Sequence, residues 1–140
     1  MVETKSKALE YVGIARMGGG IETGETNTKA LVKAGKAKLL LVASDTSDGA
    51  RRRAEGYVYE TKVPLVAVPY GKAEISAMAG RPGCSMAAFT DLGLAVAFAE
   101  ALYREYGAPY RALAETLAEK RTRARKRAQN GKKGKRRKNV

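Results

Sequence analysis

Residues 24–45 read GETNTKALVKAGKAKLLLVASD, and two different periodicities meet inside them. The first half has helical spacing, opening near Glu25 and Thr26, closing at Gly35, and placing Ala30, Leu31 and Ala34 inward. The second half, AKLLLVAS, is apolar without alternation, the mark of a strand covered on both faces. A helix followed at once by such a strand points to helices layered on a sheet.

The same alternation continues outward. Upstream, TKSKALEYVGIARM puts Ala8, Leu9, Val12 and Ala15 on one helical face and stops at Gly18 to Gly20, before a short strand GIET. Downstream, a helix with Ser47 or Asp48 as N-cap carries Ala50, Ala54, Tyr57 and Val58 on one face. VPLVAVPY is then a second buried strand, GKAEISAMAG a short helix and CSMAAFT a third strand. A helix capped by Asp91 follows, and a last one runs from APYRALAETL into the basic C-terminus. Three strong strands and a weak one predict a three-layer α/β/α sandwich around a small mixed four-stranded sheet. Leu39, Leu41, Val66, Val68 and Ala87 are its expected core.

The 140 residues fit one domain with an extension, and no internal repeat is visible. We place the body at residues 1–107 and a basic helical extension ending in a disordered tail at 108–140. The apolar runs are too short for a membrane span, and MVETKSKALEY is too charged for a signal peptide, so a cytoplasmic protein is expected. No histidine is present, which excludes Ser-His-Asp and Cys-His catalysis and most zinc sites. The single cysteine, Cys84, allows no intrachain disulfide and reads as a small buried hydrophobe.

The net charge of +13 is concentrated at one end. Residues 120–140 hold 12 of the 27 Lys and Arg and no acid; the 15 that remain face all 14 acids, leaving the body at +1. Such a run repels itself, so at least its last dozen residues are expected to be disordered on their own. Its partner should be a polyanion. The expected phosphate contacts are Lys120, Arg121, Arg123, Arg125, Lys126, Arg127, Lys132, Lys133, Lys135, Arg136, Arg137 and Lys138.

Three chemical candidates lie in the body. In GGGIETGETNTK, residues 18–29, Gly19, Gly24 and Thr26 have phosphate-loop spacing, but Glu25 occupies the lysine position and would repel a nucleotide. A flexible turn, or a helix N-terminus offering N–H groups to RNA, fits better. Asp45 and Asp48 follow a buried strand, where a metal-dependent enzyme could place ligands, but no third ligand or base is apparent nearby; helix capping by Asp48 and a turn bond from Asp45 account for them better. Arg51, Arg52 and Arg53 fan around a helix as a solvated surface. The tyrosines are scattered, with no aromatic strand for base stacking.

GETNTKALVKAGKAKLLLVASD and, at 58–80, VYETKVPLVAVPYGKAEISAMAG together resemble the family of ribosomal proteins L-seven-Ae and L-thirty-e with their bacterial paralogues. The resemblance spans roughly Lys7 to Phe98. It implies an α/β/α sandwich that binds RNA, often kink-turns, and is not an enzyme. The family's reading motif is a glycine, then asparagine and glutamate, then lysine. Gly24 matches the glycine, while Thr26, Asn27 and Ala30 stand where the family carries the other three. The loop after AMAG, here Arg81-Pro82-Gly83, corresponds to the family's second contact.

The resemblance thus nominates Gly24, Glu25, Thr26, Asn27, Lys29, Lys33, Arg81, Pro82 and Gly83 as the RNA-binding set. It implies no cofactor and no metal. The expected partner is a structured RNA, ribosomal RNA first, on a bacterial ribosome, without membrane or DNA specificity, bound by a monomer. A protein-interaction module of the same fold, localised by its tail, is the alternative.

Overall fold

A computed structural model describes residues 6–138, with side chains through Asn130. Six α-helices surround four strands in the order α1 (Lys7–Met17), β1 (Ile21–Thr23), α2 (Glu25–Lys33), β2 (Leu39–Val42), α3 (Asp48–Val58), β3 (Leu65–Ala67), α4 (Lys72–Ala79), β4 (Met86–Phe89), α5 (Leu92–Tyr106) and α6 (Arg111–Lys138). A 3-10 turn over Ala108–Tyr110 links the last two helices. The sheet is mixed, ordered β1-β4-β2-β3, with β2 and β3 parallel and the other pairs antiparallel. The three-layer sandwich expected from the sequence is the observed architecture.

Strand alternation sorts the core into two clusters. Leu39, Leu41, Ala87 and Phe89 face the layer of α1, α4, α5 and the start of α6. Leu40, Val42, Met86 and Ala88 face α2 and α3. Successive residues of a strand point to opposite faces, so LLLV and MAAF must be apolar throughout because both faces are covered. The expected apolar faces of α1 and α3 are the buried or half-buried ones. Ser47, not Asp48, caps α3, accepting from the Ala50 N–H.

Three expectations are corrected. Ala30 and Ala34 are exposed; α2 instead turns Thr28 and Val32 inward, because its first turn is fixed by Thr28 against Met86. β3 is the sheet's edge rather than a fully buried strand, so Val66 is half-buried and Ala67 exposed. Finally, α6 stays helical to Lys138, through the stretch for which charge repulsion predicted disorder. Ala, Arg, Lys and Gln are strong helix formers, and Ala114 and Leu117 anchor the first turns in the core.

Candidate nucleic-acid interface

The turn between β1 and α2 is built around Gly24. Its φ of +93° and ψ of +149° belong to a region that is nearly glycine-only, and its N–H donates to the Met86 carbonyl at 3.0 Å. The first helical bond runs from Thr28 N–H to the Gly24 carbonyl, and no side chain caps the helix. The N–H groups of Glu25, Thr26 and Asn27 therefore have no protein acceptor among the described residues, and they carry the positive end of the helix dipole.

Thr28, fully buried, braces this start by donating its hydroxyl to the carbonyls of Gly24 and Glu25 at 2.9 and 3.0 Å. One side-chain N–H of Asn27 donates to the Thr23 carbonyl at 3.1 Å, which fixes the amide at the lip of the turn.

Glu25, the residue that argued against a nucleotide, is not a free charge. Arg53 donates its Nε–H to Oε1, and the Tyr57 hydroxyl donates to the same oxygen at 3.1 Å. The Arg53 bond holds the carboxyl below its usual pKa range. Arg53 thus belongs to a tie between α2 and α3 rather than to a purely solvated arginine surface.

The loop after α4 closes against this turn. Gly80 ends α4 in the left-handed conformation, and the Arg81 N–H donates to the Ser76 carbonyl at 3.2 Å. The Cys84 N–H donates to Ser76 Oγ at 2.9 Å, and its thiol, buried as expected, donates to the Arg81 carbonyl. So pinned, Arg81, Pro82 and Gly83 line one shallow recess together with Gly24, Glu25, Thr26 and Asn27. Seven of the nine nominated body residues are brought together. Lys29 instead lies with Nζ 5.7 Å from the centre of the Tyr57 ring, and Lys33 sits in the last turn of α2.

Sequence reasoning missed Arg16. Its guanidinium lies across Gly80, so close that a Cβ there would fall 2.4 Å from the guanidinium carbon. Arg16 and Arg81 line an adjoining recess, which gives the loop face a second cation. A lone arginine in the last turn of a helix carries no signal of this in the sequence.

Of the expected tail contacts, Lys120 donates to the Lys62 carbonyl and Arg121 lies 3.7 Å from Glu100. Arg123, Arg125, Lys126 and Arg127 are exposed on α6. The side chains of Lys132, Lys133, Lys135, Arg136, Arg137 and Lys138 lie outside the described residues.

Asp45 accepts from the Lys72 N–H at 2.9 Å, which caps α4, and Asp48 occupies the first turn of α3. Among the described residues no three His, Cys, Asp or Glu side chains gather to hold a metal, and no helix is long and apolar enough to cross a membrane.

Known proteins share this architecture. A solved structure of a protein of unknown function from Bacillus halodurans superimposes with a TM-score of 0.65 at 18% identity, covering 70% of this chain and 98% of that one. The Giardia lamblia 15.5kD RNA binding protein does so with a TM-score of 0.57 at 19% identity, covering 74% and 90%. In sequence, the chain is 32% identical over 78 residues to the RNA-binding protein YlxQ of Enterococcus faecium, which spans 56% of this chain and 75% of that protein. Residues 6–98 match the model of the "Ribosomal protein L7Ae/L30e/S12e/Gadd45 family". The whole sheet and both loops of the recess fall inside that match, and the chain belongs to this family.

Proposed function

We propose that the protein binds a structured RNA of the kink-turn type, with ribosomal RNA as the first candidate. The observation that carries this reading is the recess itself. Three unpaired N–H groups at the start of α2 meet the Arg81–Gly83 loop, with Arg16 beside it. Backbone donors and a cation suit phosphate, while the Asn27 amide and the paired Glu25 carboxylate offer acceptors to base edges.

Family membership and the RNA-binding relative support the RNA rather than an enzymatic substrate. The body, residues 1–107, selects the RNA. The extension, residues 108–140, adds affinity for any phosphate backbone. The protein acts as a monomer in the cytoplasm, at the ribosome.

Crosslinking in the cells that make the protein, followed by sequencing of the bound RNA, tests this. Enrichment of one structured ribosomal site is the expected result; a diffuse RNA profile with a dominant protein partner would sink it. That second outcome has an observation of its own: Ile14 and Met17, beside Arg16 on α1, are 52% and 88% exposed, an apolar edge suited to a protein.

A further inference from the structure

The loop face does not account for a groove at the other end of α2. It measures about 870 Å³ and runs between α6 on one side and the end of α2 with the segment entering β3 on the other. Lys38 and Lys62 line it from the body; Lys120, Arg123 and Arg127 line it from α6. The α6 positions follow the i, i+3, i+7 spacing of one helical stripe, and Ala124 between them leaves the middle low. Five cations and no acid line the groove.

Packing holds these like charges together. Leu117, one turn before Lys120, is fully buried, and Lys120 is fastened to the Lys62 carbonyl. The cost is visible at Lys120, whose ammonium pKa is lowered by burial first and then by Arg123, Lys38 and Lys62. A row of phosphates would relieve that repulsion. The groove touches Val32 and Gly35, whereas Gly24 belongs to the loop recess, so roughly 14 Å of helix separates the two surfaces.

We infer that this groove is a second RNA-binding surface, which seats a stretch of sugar-phosphate backbone between α6 and the Lys38–Lys62 wall without reading its sequence. The inference rests on the RNA-binding reading above and deepens it. Lys120, Arg123 and Arg127 act as one wall of a preformed slot rather than as part of a loose polycation.

The probe is a short RNA duplex with no kink, titrated against the full chain over a range of salt. Two substitutions of equal charge separate slot from polycation: Ala124→Glu places a carboxylate inside the groove, and Thr122→Glu places one on the opposite, exposed face of the same helix. Ala124→Glu should lower the slope of log K against log salt by the equivalent of two phosphate contacts, about 1.4 to 1.8, and Thr122→Glu by less than half as much. The double variant Lys38→Ala/Lys62→Ala, which leaves α6 untouched, should also lose about 1.4 to 1.8.

Equal effects of the two glutamates, or an undiminished slope in the double variant, would each overturn the slot. The loop-face reading would survive either result, since its readout is discrimination between a kink-turn and its disrupted form. If the unmodified protein binds neither RNA, both readings fall.

Discussion

The start of α2 and the length of α6 both present positive potential, by opposite means. At Gly24 the charge is fractional, carried by backbone N–H groups that the fold aims and cannot redirect. Along α6 it is carried by whole charges on long side chains, most of those among the described residues exposed. Fixed partial charges reward one arrangement of partner atoms, so they discriminate. Mobile full charges reward any phosphate, so they add affinity and salt dependence. The two kinds of electrostatics can therefore be removed separately.

The largest effect should come from deleting residues 120–140. With about half of its 12 charges engaged, the salt slope falls by roughly 4 to 5 and every RNA is weakened alike. The body stays folded, because Ala114 and Leu117 remain. Binding isotherms at several salt concentrations measure this; an unchanged slope would mean that α6 does not touch RNA.

Next is Gly24→Val. The Cβ itself meets nothing within 4 Å, so the loss comes from the backbone angle, about 1–3 kcal/mol of stability, together with loss of kink-turn binding. Gly56, in α3, is the control. It has neither a positive φ nor a crowded Cβ, and Gly56→Ala should stabilise by about 0.5–1 kcal/mol. Thermal unfolding that moves the same way for both variants would refute the contrast.

Asn27→Ala should reduce discrimination between a kink-turn RNA and one with disrupted G·A pairs by about 1–3 kcal/mol, whereas Arg81→Ala should weaken both RNAs equally. The tail-less protein is the right background, since the body's small net charge masks little. Equal binding of the two RNAs before any substitution would end the kink-turn reading, with Thr26 and Ala30 as the departures responsible.

The smallest effect is at Glu25. Its folded pKa is depressed, so its contribution to stability is present above the ordinary value of 4.5 and disappears as pH falls through the lower, folded one. An NMR titration should place its midpoint below 4.5, with Arg53→Ala moving it back upward more than Tyr57→Phe does.

Much of the fold was legible because burial on both sheet faces leaves only apolar residues in LLLV and MAAF, and glycines mark the helix ends. What escaped depends on partners distant in sequence. Thr28 reads as a polar surface residue until Met86 lies against it, and the tie of Arg53 and Tyr57 to Glu25 joins two helices about thirty residues apart. The edge position of β3 was hidden because a parallel strand covered by helices and an edge strand draw on the same apolar residues. At the site, the two loops carried a family pattern and were found together; Arg16, Lys38 and Lys62 were not, since single cations on three separate segments form no motif.

One contact near the hinge of the extension reaches beyond RNA. β3 is an edge, and the Tyr110 hydroxyl donates to the Ala67 carbonyl at 3.4 Å, while Lys120 takes the carbonyl of Lys62 just upstream. Unpaired strand edges are templates for pairing with another chain. The turn after Gly107 and the root of α6 thus cover two carbonyls along and beside this edge. A chain cut at Gly107 would uncover them and lose the cationic repulsion of α6 together, and the expected outcome is self-association through β3.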